Sequence, residues 1–142
     1  MVYLDTSVLV ALFCNEAKGA AILRWYEAEQ RTLVAGDWCM VEVAGALAIK
    51  ERTGQLKQAQ CDAAWALFGE FCRTSMLLLP LDRELYAAAA QLVRVDHHGL
   101  RAGDALHLAL ALQQGVEAFY TLDARLEQSA RACALECLPS GD

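Results

Sequence analysis

The chain has 142 residues, of which 56% are hydrophobic, and its net charge is −6. These values predict one folded domain over residues 1–142 and exclude an intrinsically disordered chain. No apolar run is long enough for a membrane span and no basic segment precedes the first apolar run, so we expect a cytoplasmic protein. The six cysteines fit no zinc-binding spacing, which predicts buried thiols in a reducing compartment.

Strands and helices alternate along the sequence. A short strand, "MVYL", precedes two helices, "SVLVALF" and "GAAILRWYEAEQ", and a second strand, "TLVAG", precedes the helices "DWCMVEVAGALAIKERTG" and "LKQAQCDAAWALFGEFCR". A third strand, "SMLLLPL", is predicted to be buried and is followed by the helices "RELYAAAAQLVRVDHH" and "GDALHLALALQQG". The strand "EAFYTLD", the short helix "ARLEQSARAC" and a last strand, "ALECLP", come next.

Local signals mark several helix ends. Asp37 and Asp82 stand where N-caps are expected, and Gly54 and Gly115 stand where helices end. The strands are almost wholly apolar and most are separated by helices of ten or more residues. This pattern predicts a parallel sheet sandwiched between helices, an α/β/α fold.

Four acidic residues stand in positions that the fold alone does not favour. Asp5 follows the first strand and Asp123 follows the fourth, so both are expected at the edge of the sheet where ligands bind in open parallel sheets. Glu42 and Asp104 lie within strongly apolar helices, where an unpaired buried carboxylate costs several kcal/mol. Charge that reduces stability often marks a functional site.

Each of these acids also has a purely structural interpretation. Asp5 and Asp123 are each placed to cap the helix that follows. Asp104 is placed to cap a helix or to lie in its first turn, where the macrodipole favours an acid, and Glu42 is compatible with a solvated helix face. A structural explanation must account for all four placements at once, which favours a shared site.

Clustered carboxylates are stabilised by hard cations such as Mg²⁺ or Mn²⁺, which prefer oxygen ligands and support phosphodiester hydrolysis. The acidic net charge argues against a nucleic-acid substrate when taken alone. Four site acids leave 18 − 4 = 14 acidic against 12 basic residues, which is close to neutral.

Four stretches carry a resemblance to a known family. In this order and at these separations, "YLDTSVLV", "VEVAGAL", "GDALHLALAL" and "YTLDARL" resemble the PIN-domain ribonucleases, and most closely the VapC toxins of bacterial toxin–antitoxin pairs. The resemblance extends over essentially the whole chain. It implies a PIN-like α/β/α domain and an Mg²⁺- or Mn²⁺-dependent endoribonuclease that hydrolyses RNA phosphodiester bonds as the toxin of such a pair.

The resemblance also implies the site and the partners. Ser7 and Thr121 match the supporting hydroxyl positions. The expected partner is a small DNA-binding antitoxin of the VapB kind, and the expected assembly is a homodimer without membrane association. The acids expected to be catalytic and to bind the metal ion are Asp5, Glu42, Asp104 and Asp123.

Two further side chains near the quartet have open interpretations. Arg101 lies one turn before Asp104 and is a candidate contact to the RNA backbone. His107 shares a helix face with Asp104, so it is either a packing residue or an additional metal ligand.

Other functions are less consistent with the sequence. A haloacid-dehalogenase-type phosphatase needs a second acid two residues after the nucleophile, where this chain has Ser7, and the acidic pair and lysine of a receiver domain are missing. A catalytically silent PIN-like module is expected to lack one of the four acids. A processing nuclease has the same chemistry as a toxin, so the sequence does not separate them. No motif identifies the RNA, the number of metal ions or the antitoxin.

Overall fold

The computed structural model describes residues 1–139, so residues 140–142 of the predicted domain lie outside the described part. Five strands and seven α-helices alternate in this range. They are β1 (Val2–Leu4), α1 (Thr6–Phe13), α2 (Gly19–Ala28), β2 (Leu33–Gly36), α3 (Trp38–Arg52), α4 (Gln58–Thr74), β3 (Leu77–Leu79), α5 (Arg83–Val95), α6 (Ala102–Gln114), β4 (Ala118–Tyr120), α7 (Ala124–Ala132) and β5 (Glu136–Leu138).

The strands form one parallel sheet in the order β3-β2-β1-β4-β5, which confirms the predicted fold class. The first strand of the chain is therefore the central one, with Tyr3 opposite Val34 of β2 and Phe119 of β4. Because side chains alternate along a strand, Val2 and Leu4 face one core and Tyr3 faces the other. Helices α1, α2, α3 and α4 cover the first core, and α5, α6 and α7 cover the second.

The structure corrects two local predictions. The strand within "SMLLLPL" is not buried, because β3 is at the edge of the sheet and Leu77 is 52% exposed. Asp37 precedes α3 but makes no capping hydrogen bond, because its own backbone is already helical (φ −52°, ψ −25°). Asp82 does cap α5, since its Oδ1 accepts a hydrogen bond from Leu85 N at 2.8 Å.

Two global expectations can be compared with the fold. None of the helices in residues 1–139 combines the length and the apolar character that crossing a bilayer requires. All six cysteines carry free thiols; four are buried and Cys72 and Cys133 are partly buried.

Candidate active site

Asp5 lies at the carboxyl end of the central strand and is only 3% exposed. Its Oδ1 accepts hydrogen bonds from Ser7 Oγ (2.5 Å) and from Val8 N (3.2 Å), so Asp5 is the N-cap of α1. Its Oδ2 accepts a hydrogen bond from Thr121 Oγ1 at 2.6 Å. Burial raises the pKa of Asp5 in spite of these donors.

Asp123 is held at the same edge of the sheet by the hydroxyl that contacts Asp5. Its backbone N–H donates to Thr121 Oγ1 at 3.0 Å. Its Oδ1 accepts hydrogen bonds from Arg125 N (2.9 Å) and Leu126 N (3.1 Å), which makes Asp123 the N-cap of α7. The two strand-end acids are therefore linked through one buried threonine.

Glu42 reaches the same region from the second turn of α3. Its Oε1 accepts hydrogen bonds from Thr6 Oγ1 (2.6 Å) and His107 Nε2 (2.5 Å). Burial raises the pKa of Glu42, but the hydrogen bonds and the charge of its neighbours, chiefly those of His107, outweigh this effect and lower the pKa. A Cβ on Gly103 would lie 3.4 Å from both Glu42 Oε2 and Trp38 Nε1, so this glycine leaves space beside the carboxylate.

A chain of polar groups fixes His107 from inside the core. The Tyr3 hydroxyl accepts a hydrogen bond from Gly36 N (3.2 Å) and lies 2.8 Å from His107 Nδ1. His107 is only 1% exposed, so every polar group on its ring needs a partner. If Tyr3 donates to Nδ1, then Nε2 carries the proton and donates to Glu42, which satisfies all the groups in the chain.

Asp104 and Asp123 share one basic residue. Arg101 Nη2 donates to Asp123 Oδ2 (2.8 Å) and to Asp104 Oδ2 (3.2 Å), and Arg101 Nε lies 3.3 Å from the same Asp104 oxygen. Burial raises the pKa of Asp104, as does the charge of Asp123, whereas Arg101 opposes both effects.

The four predicted acids thus lie in one hydrogen-bonded region, and several have structural roles as well. Asp5 and Asp123 cap helices and Asp104 is in a first turn, as the structural interpretation requires, whereas Glu42 is not on a solvated face. Sequence reasoning missed Thr6 and Tyr3. The signal for Thr6 was its place between Asp5 and Ser7 in "DTS", but nothing local indicated that Tyr3 would contact a histidine 104 residues away.

The donor chemistry of the site fits a hard divalent cation, although its arrangement here does not enclose one. All four acids offer carboxylate oxygens, which Mg²⁺ and Mn²⁺ prefer. Within residues 1–139, however, no group of three or more His, Cys, Asp or Glu side chains is arranged to hold a metal ion. Arg101 and His107 take up oxygens of three of the four acids. Arg101 occupies the Oδ2 atoms of both Asp104 and Asp123.

Comparisons with known proteins identify the family of the domain and its fold. A family model described as "PIN domain" matches residues 2–132. No curated protein matches the sequence significantly.

Solved structures with the same fold cover nearly the whole chain. VapC20 of Mycobacterium tuberculosis, described as a sarcin–ricin loop cleaving toxin, is 19% identical with a TM-score of 0.72, over 91% of this chain and 95% of its own. FitAcB from Neisseria gonorrhoeae is 19% identical with a TM-score of 0.66, over 96% of each chain. VapBC2 from Rickettsia felis, bound to a DNA fragment from their promoter, is 13% identical with a TM-score of 0.65, over 96% of this chain and 97% of the other. At such identities the likeness shows the fold alone.

Proposed function

We propose a function for this chain, which belongs to the PIN-domain family. The proposed function is that of a metal-dependent endoribonuclease that acts as the toxin of a toxin–antitoxin pair. The proposed metal ion is Mg²⁺ or Mn²⁺. The proposed catalytic and metal-binding residues are Asp5, Glu42, Asp104 and Asp123, with Ser7 and Thr121 in support. The proposal treats residues 1–142 as one PIN-like domain.

The observation that carries the proposal is the continuous contact among the four acids. Thr121 joins Asp5 to Asp123, and Arg101 joins Asp123 to Asp104. Glu42 is bound by Thr6, the residue directly after Asp5. Helix caps alone do not require four separate parts of the chain to bring their carboxylates together.

The residues of the site divide the work of binding and orientation. A divalent ion held by the carboxylates would supply a Lewis acid that activates water and stabilises charge on the phosphodiester. Ser7 and Thr121 fix both oxygens of Asp5, and Thr6 and His107 fix one oxygen of Glu42. These hydrogen bonds orient the carboxylates before substrate arrives, so less reorganisation is needed during the reaction.

An open groove beside the acids supports RNA as the substrate. It has a volume of about 510 Å³ and is lined by residues that include Thr6, Ser7, Lys18 and Leu122. The groove is lined by one cation, Lys18, and by one acid, Glu16, whose charge is paired with Lys50 at 2.9 Å. Lys18 suits a phosphate, and Arg101 is the proposed contact to the RNA backbone. The groove begins at the residues that hold Asp5 and Glu42, so a nucleotide in it would lie next to the proposed reacting centre.

Exposed apolar side chains on two helices support the proposed protein partners. On α3 and α4, side chains that would normally be buried are solvent-exposed: Val41 (63%), Ile49 (50%), Trp65 (44%) and Leu67 (60%). Exposed apolar area of this kind marks protein–protein contacts. The partners that we propose are a small DNA-binding antitoxin and a second copy of the chain, by analogy with VapC20, a toxin, and with VapBC2, which is bound to promoter DNA.

Cleavage of RNA by the purified protein tests the enzymatic part of the proposal. We expect cleavage with Mg²⁺ or Mn²⁺ and none with EDTA. Asp5→Asn should reduce the rate about 100-fold or more, since it removes a charged group at the reacting centre. Asp62→Asn, an exposed acid on α4, is the matched control and should cleave normally. Full activity of Asp5→Asn on a preparation free of contaminating nuclease would refute the site.

Expression in bacteria separates a toxin from a processing nuclease. Induction of the chain alone should stop growth. Where a small antitoxin-like reading frame lies beside the gene, its co-expression should restore growth. The Asp5→Asn variant should not affect growth. Normal growth at high levels of active enzyme would favour the processing nuclease.

A further inference from the structure

Arg101 lies where a cation is needed between two of the proposed metal-binding acids. Its guanidinium lies within 3.3 Å of the Oδ2 atoms of both Asp104 and Asp123. Asp104 and Asp123 repel each other, and this repulsion is relieved by any positive charge placed between them. A guanidinium and a divalent ion both use carboxylate oxygens, so they compete for this pair.

The exposure of the Arg101 side chain weakens its contacts with the two acids. Its side chain is 63% exposed, whereas those of Asp104 and Asp123 are 18% and 25% exposed. Exposed ion pairs are weak, and each changes an equilibrium by less than about fivefold. A divalent ion that binds carboxylates directly can therefore replace the guanidinium at low cost.

The backbone that carries Arg101 is held in place independently of its side chain. Asp96 Oδ2 accepts hydrogen bonds from His98 N (2.7 Å) and Leu100 N (2.8 Å), and Asp96 Oδ1 accepts one from Ser129 Oγ (2.7 Å). This arrangement ties the segment before α6 to α7. The guanidinium of Arg101 can therefore move away from the two carboxylates by side-chain rotation alone, while the backbone of the residue stays in place.

We propose that Arg101 is an internal cation that occupies the Asp104–Asp123 pair and is displaced when a divalent ion binds there. The inference rests on the proposed function, because it concerns the same acids. It gives Arg101 a second role beside the proposed contact to RNA. In the protein without metal, the charge of Arg101 offsets the repulsion between Asp104 and Asp123. A divalent ion must displace the guanidinium before it can bind the same oxygens.

Calorimetric titration with Mn²⁺ tests the proposal without any assay of activity. Arg101→Gln should bind Mn²⁺ about 3- to 10-fold more tightly than the wild type, because two weak pairs no longer compete. Arg101→Lys, which keeps the charge but lacks the planar fork, should fall between them. In EDTA, Arg101→Gln should melt about 1–3 °C lower, because the two acids then repel each other.

Arg125→Gln is the matched control. Arg125 is exposed and lies two residues after Asp123, but it makes no ion pair among the described residues. The variant changes the net charge by the same amount, so it measures the long-range effect of losing one positive charge. Only the gain of Arg101→Gln beyond this control counts for the proposal.

The outcomes separate this inference from the proposed function. Equal or weaker Mn²⁺ binding by Arg101→Gln, relative to Arg125→Gln, would overturn the competition while leaving a metal-dependent nuclease intact. Absence of Mn²⁺ binding in every variant would overturn both. Tighter Mn²⁺ binding by Arg101→Gln together with a lower melting temperature in EDTA would support the proposal. If Arg101 had only a structural role, its loss would lower both the Mn²⁺ affinity and the melting temperature.

Discussion

At the scale of single residues, the main finding is that the site is connected to the interior of the protein. Tyr3 and His107 are both buried, and together they link the backbone of Gly36 to Glu42. Buried polar groups cost stability unless each is paired. The chain therefore stabilises the fold and orients the carboxylate with the same bonds, and removal of one member leaves its neighbours unsatisfied.

Tyr3→Phe should lower the free energy of unfolding by about 1–3 kcal/mol, because it leaves Gly36 N and His107 Nδ1 without a partner. Urea denaturation at neutral pH measures the loss. Tyr120→Phe is the control, since Tyr120 is also buried (3% exposed) but its hydroxyl makes no hydrogen bond among the described residues and is not fully buried. That variant should lie within about 0.5 kcal/mol of the wild type. Equal losses of unfolding free energy in the two variants would show that the hydrogen bonds of the Tyr3 hydroxyl do not stabilise the protein.

At the scale of elements, the end of β2 packs closely against α6. A Cβ on Gly36 would lie 2.7 Å from Leu110 Cδ2 and 3.1 Å from Leu81 Cδ1. Leu110 is only 1% exposed, so it has little room to move. The missing side chain at position 36 thus allows the helix that carries Asp104 and His107 to pack directly on the sheet.

Two glycine substitutions should therefore have opposite effects. Gly36→Ala should destabilise the protein by about 1–3 kcal/mol through overpacking. Gly45→Ala, on an exposed position of α3 with nothing within 4 Å of the new methyl group, should stabilise it by about 0.5–1 kcal/mol. Thermal or urea unfolding of both variants gives the comparison. A stable Gly36→Ala protein would mean that Leu110 relocates easily.

At the scale of the whole molecule, buried carboxylates reduce the stability of the folded protein at neutral pH. Burial raises the pKa of both Asp5 and Asp104 above the usual range of an aspartate. An acid with a raised pKa in the folded state opposes folding at neutral pH, and the penalty disappears as the pH falls through that pKa towards the unfolded value of about 4.

Asp104→Asn isolates one part of this penalty. In EDTA at pH 7 it should raise the free energy of unfolding by up to about 1 kcal/mol, and the gain should shrink as the pH approaches 4. Excess Mn²⁺ at about 100 times its Kd should stabilise the wild type by about 2.7 kcal/mol and the variant by much less. Melting curves in EDTA and in Mn²⁺ measure both effects. A variant that melts lower in EDTA yet keeps the full Mn²⁺ shift would make Asp104 structural.

Much of the fold could be predicted from local patterns because these patterns act over short distances. Apolar runs, Asp82 and Gly115 specify elements and their ends without reference to the rest of the chain. The parallel pairing of the strands follows from their alternation with helices, whereas the order of the strands in the sheet had no local signal. The exposure of β3 could not be predicted, since an apolar strand has the same sequence pattern at the edge as in the centre.

The four acids could be singled out from the sequence, whereas several of the residues that contact them could not. Asp5 and Glu42 were conspicuous because a charge stood among apolar residues. The pairing of Arg101 with Asp123 depends on the path of the chain between α6 and α7, and that of Tyr3 with His107 depends on strand register. Neither leaves a local signal in the sequence.

The central position of the first strand has a consequence for the order in which a ribosome makes this protein. One neighbour of β1 is β4, and Thr121, which holds Asp5, is made 116 residues later. A nascent chain therefore cannot pair β1 with β4 or bring its four acids together until residues up to Asp123 have been synthesised. If the proposed activity is correct, the unfinished enzyme is harmless to the messenger that encodes it, and its capacity to cut RNA begins only after translation of the domain is almost complete.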